Sequence, residues 1–375
     1  MAHFIRATGD GANPIQHSMD IFHEHLRLTS LAGLFGKKGS GKPIIMDTTL
    51  KGKSGDVVTY HFVPHAYADP ILGQDASILG NESKFSEYTQ TLTIDEVNFA
   101  FRRKGRMTEQ RTLLNTREEM RRQIVNHFAQ YNEDALMKTM SGVSATNLTG
   151  DYLLAANTTD RVAGVNRCWR ANGSASATAV TAAQSDNDYL SSNVVATDLF
   201  SPQLIDEAVT ALAEIDASST TSITYRMRPI KIGPNNEEFY ILLISPRAGR
   251  DLRYNPEWQA HAYSIADRGL GGKDDLISNG ALGVWNNVIV KESQHIVRPL
   301  IDAGTSRFAR NLLLGADAMI SGWAKTTDYT EELVDHGREL SVAAYEIRGE
   351  TKVVFDGNDG STDVDMGVAQ LISHG

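Results

Sequence analysis

The chain has 375 residues, of which 41% are hydrophobic and 22% are charged, a composition typical of globular proteins. This length permits a sizeable core and favours two domains. The formal net charge of -10 argues against a surface that grips nucleic acid along its length. The single cysteine, Cys168, excludes an intramolecular disulfide, fits a reducing cytoplasm, and is interpreted as a small buried residue.

Hydropathy gives no sign of a membrane partner. The sequence has no apolar run long enough to span a membrane, and no signal-peptide core follows Met1. We therefore expect a protein that is made and used in the cytoplasm, or that leaves it without the secretory route.

The N-terminal part of the chain predicts an arm, a short helix and a hairpin. Residues 1–12 show no periodicity, and Asn13-Pro14 then supplies a cap and a first-turn proline. Strand patterns cover residues 56–63 and Tyr88–Phe101, with an irregular stretch containing proline and glycine between them. These two strands and their connection predict one protruding hairpin.

The second strand of this hairpin changes its pattern midway. Leu92 and Ile94 lie on one face of an ideal strand, whereas Val97 and Phe99 lie on the other. Because a slip of one residue exchanges the two faces, we expect a bulge or a sharp bend near Asp95-Glu96.

A long helix is predicted next. Its start is marked by Thr116 and Glu119, which have the capping-box spacing, and its end by Gly142. One apolar face recurs at three- and four-residue steps and consists of Met120, Ile124, Phe128, Tyr131 and Ala135. The predicted helix over residues 116–141 is about 39 Å long at about 1.5 Å per residue, which exceeds the usual globular helix.

The second half of the chain predicts a long excursion and then alternating helices and strands. Ser144–Asn193 is dominated by small and polar residues, which predicts a surface excursion. The elements predicted after it are a helix from Ser201-Pro202, a hairpin of residues 223–232 and 238–244, a helix after Ser245-Pro246, strands over 287–291 and 308–314, a short helix over 316–323, a hairpin over 339–354 that turns at Gly349, and an apolar segment over 368–372.

A loop rich in glycine and lysine resembles a nucleotide-binding motif without completing it. Residues Gly36 to Lys42 match the first seven positions of a P-loop, but the eighth, which should be Ser or Thr, is Pro43. Proline lacks both the hydroxyl group that binds magnesium and the backbone N–H. We interpret this segment as a solvated basic loop.

Two further patterns fall short of metal sites. His23 and His25 are two residues apart, so a helix directs them to different sides, and Arg27 stands where a zinc-protease motif needs its second histidine. Residues 356–365 have the composition of a calcium loop, but Gly360 stands where a ligand is needed. The sequence therefore predicts a solvated acidic turn, and no metal, no cofactor and no catalytic residue.

Several short segments, in order along the chain, carry a resemblance to a known family. They are Leu50, Gly52 and Gly55-Asp56; Gly80-Asn81-Glu82; Ile94-Asp95, Arg103, Gly105 and Gln110-Arg111; Phe239 to Pro246 with Asp251-Leu252 and Trp258; Gly280 to Asn286; and Leu312 to Ala318. On these residues the chain resembles the major capsid proteins of tailed bacteriophages that have the Hong Kong 97-like fold.

The resemblance implies an α+β fold of several parts. These are an N-terminal arm (1–12), an N-terminal helix with part of a peripheral domain (13–55), an extended hairpin loop that lies over a neighbouring subunit (56–101), the rest of the peripheral domain with a spine helix over about 116–141 (102–193), an axial α/β domain (194–340), and return strands with the C-terminus (341–375).

The same resemblance implies a structural protein rather than an enzyme. Copies of the chain would assemble into the hexamers and pentamers of an icosahedral shell that encloses double-stranded DNA in the virion. Assembly would take place in the host cytoplasm, with portal, scaffold, and cement or decoration proteins as further partners.

Two groups of residues are candidates for contacts between such subunits. Large apolar side chains in a loop without periodicity are costly on a lone subunit, so a partner that covers them explains their presence. The candidate hairpin residues are Tyr67, Ile71, Ile78, Leu79, Glu82, Lys84 and Phe85. The basic run of Arg102, Arg103 and Arg106 is expected to pair with acidic residues of the same or a neighbouring chain.

Two other interpretations stay open from the sequence. One is a different self-assembling shell, a protein nanocompartment of the same fold. The other is a cytoplasmic enzyme whose site is assembled from scattered residues. Electron microscopy of the purified protein distinguishes shells from discrete oligomers.

Overall fold

A computed structural model describes the chain in segments that together form a mixed α+β fold. The described residues are 21–26, 28–50, 55–62, 88–103, 111, 116–142, 167–171, 177–180, 197–213, 227–232, 237–260, 281–298, 308–336, 338–356 and 363–374. Three helices are described from end to end, and they are α1 (Thr116–Met140), α2 (Pro202–Ala213) and α3 (Pro246–Tyr254). Residues 21–26 and 256–260 are also helical, and Ala32–Leu34 form a 3-10 turn.

Seventeen strands lie within these described segments. They are β1 (Phe35–Gly36), β2 (Ile44–Asp47), β3 (Val57–Phe62), β4 (Tyr88–Thr93), β5 (Asp95–Arg103), β6 (Cys168–Ala171), β7 (Ala177–Val180), β8 (Ile230–Ile232), β9 (Glu237–Ile244), β10 (Ala281–Trp285), β11 (Val288–Glu292), β12 (Phe308–Leu314), β13 (Met319–Val334), β14 (Glu339–Lys352), β15 (Val354–Asp356), β16 (Asp363–Asp365) and β17 (Val368–His374).

The larger sheet has eight strands in the order β10-β11-β9-β12-β17-β6-β7, and β8 pairs with β9. Its central strands β12 and β17 are buried along their whole length, polar residues included, because both faces of the sheet are covered. Along β9, Leu242 and Ile244 pack under α2 and α3, whereas Ile241 and Leu243 pack on the opposite face. The helix α2 presents Leu204, Ile205, Ala208 and Leu212, all buried, to the first of these two cores.

The smaller sheet has five strands in the order β1-β2-β13-β14-β5. Its centre is a long antiparallel hairpin of β13 and β14, in which Val334 pairs with Glu339 beside the turn. Asp335 and His336 in that turn have positive φ values of 54°, the backbone that suits a tight hairpin connection. β5 extends the sheet on the other edge of β14.

The helix α1 joins the cores of the two sheets. Ile124 and Phe128 in its N-terminal half pack on the five-stranded sheet, against Phe99 of β5 among others. Leu136 and Met140 near its C-terminal end pack instead into the core beneath the eight-stranded sheet. One rigid helix therefore contributes to two hydrophobic cores.

Several sequence-based elements are confirmed. The long helix begins at Thr116 as predicted and ends at Met140, and Gly142 just beyond it has a positive φ of 76°, typical of a helix C-terminus. The helix after Ser201, the strand over 308–314 and the buried state of Cys168 are also confirmed.

The interpretation of residues 316–354 is wrong in two places. Residues 316–323 were expected to be helical, but they enter β13 through a turn at Asp317, whose φ is 55°. The expected hairpin with its turn at Gly349 is one continuous strand, β14, and the real turn lies between β13 and β14. A glycine often indicates a turn, but Gly349 lies inside a strand where β4 packs closely against it.

The expected Tyr88–Phe101 strand is two strands. The chain breaks at Ile94, one residue before the predicted bend, so only β4 pairs with β3, while β5 joins the five-stranded sheet. The hairpin over 56–101 is therefore shorter than predicted at its C-terminal side. Its predicted irregular stretch, within residues 63–87, lies outside the described residues.

The predicted boundaries along the chain also differ from the sheets. β13, expected in the axial part, belongs to the five-stranded sheet, and β17, expected among the return strands, lies in the eight-stranded sheet. The expected surface excursion over 144–193 contains β6 and β7, and Trp169 of β6 is 1% exposed. Strand partners far apart in sequence decide these assignments, and sequence composition does not report them.

The buried face of α1 predicts a strong effect of a charge at Ile124, which is fully buried. Ile124→Asp places an unpaired carboxylate in this core and should lower the free energy of unfolding by roughly 3 kcal/mol or more. Denaturant unfolding followed by circular dichroism measures the change. The matched control is Asn126→Asp, which adds the same charge on the exposed side of the helix. Equal stability of the two variants would contradict the assigned face.

Candidate assembly site

The base of the β3–β4 hairpin is fixed to one face of the five-stranded sheet. Tyr60 of β3 and Leu92 of β4 are buried there against Ile45 and Ile320, whereas Val57 on the other side of β3 is 56% exposed. This period-two alternation is what a strand packed on one side requires. The apolar contacts hold the hairpin by its base.

One partly buried hydrogen bond adds a directional contact to this apolar packing. The Tyr60 hydroxyl donates to Asp47 Oδ2 at 2.8 Å, and Asp47 Oδ1 accepts from the Thr49 backbone N–H. Burial and the neighbouring Asp47 carboxylate raise the pKa of Tyr60, so the hydroxyl keeps its proton and stays a donor. The hairpin base is thereby tied to the end of β2.

The candidate hairpin residues lie beyond this base. Tyr67, Ile71, Ile78, Leu79, Glu82, Lys84 and Phe85 are all outside the described residues, as is Arg106. Their role in contacts between subunits stays a prediction.

The two described arginines of the basic run have partners in their own chain. Arg102 Nε donates to Glu339 Oε2 at 2.7 Å, and Arg103 Nη1 donates to Thr116 Oγ1 at 2.7 Å at the start of α1. The Arg102 side chain is 54% exposed, so this ion pair adds little stability in water. The sequence predicted acidic partners in the same or a neighbouring chain, and for Arg102 the partner is Glu339 of its own chain.

A buried charged cluster lies between α1 and β14. The Arg348 guanidinium is sandwiched between the rings of Tyr131 and Trp323, 5.0 and 5.1 Å from their centroids, and Nη1 donates to Asn132 Oδ1 at 3.0 Å. Burial raises the pKa of Glu346, while Arg348 opposes that rise. The cluster is sealed from solvent, which suits a structural role more than chemistry on a substrate.

His25, one of the two histidines of the His23-Glu24-His25 segment, belongs to the same cluster. Burial, together with the neighbouring Arg348 charge, lowers the pKa of His25 to about 4, so the imidazole is neutral at physiological pH. Its Nε2 is 3.7 Å from Glu346 Oε1, a contact that is not an ion pair while the ring is neutral. Among the residues that the structure describes, no group of three or more His, Cys, Asp or Glu side chains is arranged to hold a metal ion.

A histidine clamp, formed by His295, Glu133 and Asp134, joins α1 to the segment after β11. Nδ1 of His295 is 2.6 Å from Asp134 Oδ1, and Nε2 is 2.7 Å from Glu133 Oε2. A neutral imidazole has only one N–H, so only the imidazolium satisfies both carboxylates. The Asp134 and Glu133 carboxylates accordingly raise the pKa of His295 to about 9.

The loop that resembles a P-loop is exposed at residues 37–40 and lies between β1 and β2, as its interpretation as a basic loop requires. Two of its three lysines donate to carbonyl groups of the protein: Lys42 Nζ donates to Gly33 O at 3.0 Å, and Lys38 Nζ donates to His61 O at 3.3 Å. The Ser40 N–H donates back to Lys37 O, so this amide does not face a phosphate.

The predicted acidic turn is partly wrong. Asp365 is fully buried and pairs with Lys352 Nζ at 2.9 Å, and its carbonyl oxygen accepts from Arg167 Nε. Asp365 therefore fixes the C-terminal strands to β14 and is not part of a solvated turn. Residues 357–362 lie outside the described residues.

Comparison with known proteins decides the family. A family model for phage capsid protein matches residues 6–373, nearly the whole chain. The chain belongs to the phage capsid protein family. It is a structural protein of the bacteriophage capsid and forms its shell, as the resemblance in the sequence predicted. None of the described helices has the length and apolar character needed to cross a membrane.

Individual relatives are distant in sequence and similar in fold. The major capsid protein of Pseudomonas phage KPP25 is 24% identical over 323 residues, which cover 81% of this chain and 79% of that protein. The capsid of Ralstonia phage GP4 is 22% identical, has a TM-score of 0.71, and matches 91% of this chain and 89% of its own. The cyanophage Pam1 capsid is 16% identical with a TM-score of 0.67, over 100% and 99% of the two chains. These structures establish a shared fold.

Sequence reasoning missed the histidine clamp and the Arg348 cluster of this capsid protein. Glu133 and Asp134 follow the apolar face of α1 as ordinary helix carboxylates, and His295 is 161 residues beyond Asp134. A single sequence carries no signal that joins residues so far apart.

The histidine clamp predicts a loss of stability at alkaline pH. The folded-state pKa of about 9 exceeds the ordinary value of 6.5, so the clamp stabilises the fold fully below pH 6.5. That contribution is lost as the pH rises from 6.5 through 9 and amounts to roughly 3 kcal/mol, at about 1.4 kcal/mol for each pKa unit. Denaturant unfolding across this range should show the loss in the parent and a much flatter profile in His295→Gln. The control His23→Gln changes an exposed histidine; a parental slope in His295→Gln would refute the clamp.

The basic loop predicts that this capsid protein does not bind nucleotides. Lys42→Ala removes one exposed hydrogen bond and should change the free energy of unfolding by less than about 1 kcal/mol. Isothermal titration of the parent with ATP and magnesium should give no binding heat. Micromolar ATP affinity in the parent that is lost in Lys42→Ala and kept in Lys37→Ala would overturn this interpretation.

Proposed function

We propose that copies of this capsid protein close into an icosahedral shell of pentamers and hexamers with the Hong Kong 97-like subunit plan, and that the shell encloses double-stranded DNA. In this proposal α1 is the spine helix, and the five-stranded sheet with α1 is the peripheral domain. The eight-stranded sheet with α2 and α3 is the axial domain, whose loops meet around the five-fold and six-fold positions.

The observation that carries the proposal is the attachment of the β3–β4 hairpin. We call β3, β4 and the connecting residues 63–87 the hairpin arm. Its described strands pack on the five-stranded sheet with one face, where Tyr60 and Leu92 are buried, while the opposite side of β3 is exposed. An isolated two-stranded hairpin is marginally stable in water, so an arm of this kind needs a second surface.

A neighbouring copy of the same chain supplies that surface in the proposal. Shells of repeated subunits gain their stability from many overlapping interfaces that symmetry closes. Burying the predicted apolar residues Tyr67, Ile71, Ile78 and Leu79 under a neighbour contributes ~25 cal/mol for each Å² of apolar area removed from water. Because this contact would be repeated at every subunit of the shell, even a small stabilisation for each contact adds up to a large one for the shell.

The charge of the chain supports a container for DNA. A formal net charge of -10 weakens sequence-independent binding to phosphates, which depends on lysine and arginine contacts. A shell of such subunits holds the genome by enclosure and lets it move during packaging and release. The proposal places assembly in the host cytoplasm, with portal, scaffold and decoration proteins as further partners.

Deletion of the arm tip tests the proposal. Replacing residues Ile71 to Phe85 with a short Gly-Ser linker should leave a folded subunit with nearly parental circular dichroism, because the arm adds little to either main core. The same variant should form no closed shells by light scattering and electron microscopy.

The control is Lys37→Ser, at an exposed residue of the loop between β1 and β2, which should leave assembly intact. Normal shells from the arm variant would show that the arm is not an assembly element. Unfolding of that variant would show that the arm belongs to the core of its own subunit, and the proposed role of the arm would fail.

A further inference from the structure

Two glycines lie opposite each other beneath the hairpin base. Gly322 of β13 and Gly349 of β14 are cross-strand partners, so their positions share one face of the five-stranded sheet. This is the face that carries Ile320, Tyr60 and Leu92. The next pair along the strands, Trp323 with Arg348, points to the opposite face under α1.

The hairpin occupies the space that side chains would fill at both glycines. A Cβ atom on Gly322 would lie 2.4 Å from Leu92 Cδ2 and 2.9 Å from Leu50 Cδ1. A Cβ atom on Gly349 would lie 2.1 Å from the Thr93 carbonyl oxygen. Carbon atoms in contact are normally about 3.5 to 4.0 Å apart, so a larger residue at Gly349 displaces the backbone of β4, and one at Gly322 forces the Leu92 and Leu50 side chains to move.

Backbone conformation does not explain these glycines. The described glycines with positive φ are Gly39, Gly41, Gly55 and Gly142, and neither Gly322 nor Gly349 is among them. Glycine in the middle of a strand weakens the strand, and its presence often marks the close approach of another backbone. The two glycines therefore matter because they have no side chain, which leaves room for the hairpin, and not because their backbone is flexible.

A hydrogen-bonded latch fixes β4 beside the glycines. Gln90 Nε2 donates to Thr351 Oγ1 at 3.1 Å, and Gln90 Oε1 accepts from the Val354 backbone N–H at 3.4 Å. The backbone N–H of Ile94 donates to Asp56 O at 2.9 Å and closes the base of the hairpin. The two glycines determine how closely the hairpin packs on the five-stranded sheet. The hydrogen bonds of Gln90 determine the orientation of β4 on that sheet.

We propose that Gly322 and Gly349 form a seat that determines the direction in which the hairpin arm leaves the subunit, and thereby which neighbouring copy of the chain the arm contacts. This inference rests on the proposed role of the arm in assembly. Each six-residue strand of the hairpin is about 20 Å long, so a small rotation at the seat moves the far end by several times the displacement at the base. The two glycines are positioning residues for assembly.

Alanine at either glycine tests the seat. The variants are Gly322→Ala and Gly349→Ala, and the control is Gly33→Ala, where an added Cβ meets no atom within 4 Å and φ is not positive. Hydrogen exchange of the unassembled subunit should show β4 amides exchanging about tenfold faster or more in both seat variants. The amides of β12, in the core of the other sheet, should keep parental protection, and the control should match the parent throughout.

A second substitution separates the seat from a general loss of stability. Leu92→Ala removes the side-chain atom that obstructs a Cβ at Gly322, but it leaves the Thr93 carbonyl that obstructs a Cβ at Gly349. In double-mutant cycles, Leu92→Ala should therefore offset a larger part of the Gly322→Ala effect on β4 exchange than of the Gly349→Ala effect, because the closest obstruction at Gly349 is the Thr93 carbonyl oxygen and Leu92 Cδ1 lies farther away, at 3.3 Å. If the effects of the two substitutions on β4 exchange are additive in both cycles, the proposed seat is refuted.

Electron microscopy supplies the assembly readout. Seat variants that stay folded should give open sheets, aberrant particles or no particles, while Gly33→Ala gives parental shells. Parental shells and parental β4 exchange in both seat variants would refute the inference and leave the proposed function intact. Equal loss of protection in β4 and β12 in both variants would also refute it. Absence of shells from the parent would instead refute the proposed function, while β4 exchange in the subunit would still decide the seat.

Discussion

The strand β14 is the element on which the rest of the subunit depends. It is hydrogen-bonded on both edges, to β13 and to β5, and its side chains alternate between two differently covered faces. Arg348 enters the charged cluster under α1, and the adjacent Gly349 receives the hairpin base. Because successive residues of a strand point to opposite faces, a slip of one residue would place a buried charge under the hairpin and remove the flat surface.

The helix α1 turns two sheets into one subunit. Its N-terminal half is buried on the five-stranded sheet and its C-terminal end under the eight-stranded sheet, so neither core is complete without it. The histidine clamp lies where α1 passes from one core to the other and adds charge-assisted hydrogen bonds to the apolar contact. A subunit that must keep its shape among many neighbours benefits from such a shared element.

Several charged or ionisable side chains of this capsid protein are part of its packed interior. Arg348 is buried between aromatic rings, and His25 beside it is neutral at physiological pH. Burying such groups rarely adds net stability compared with apolar residues of the same volume, but unpaired charges penalise alternative packings. The arrangement suits a protein whose task is to present the same surfaces in every copy.

The sequence by itself determined the long helix, the α2 helix, the apolar strands of the eight-stranded sheet and the family, because these rest on local periodicity and on short segments in order. It also placed the bend after β4 within one residue, since a change of parity is visible along a single strand. Only the tertiary structure decided the roles of Gly322, Gly349 and His295. Each of these roles depends on atoms from segments far apart in sequence. Gly349 alone predicts a turn, and only the fold brings the Thr93 carbonyl oxygen to 2.1 Å from the position that its Cβ would occupy. Likewise, only the fold brings the Glu133 and Asp134 carboxylates to the ring of His295.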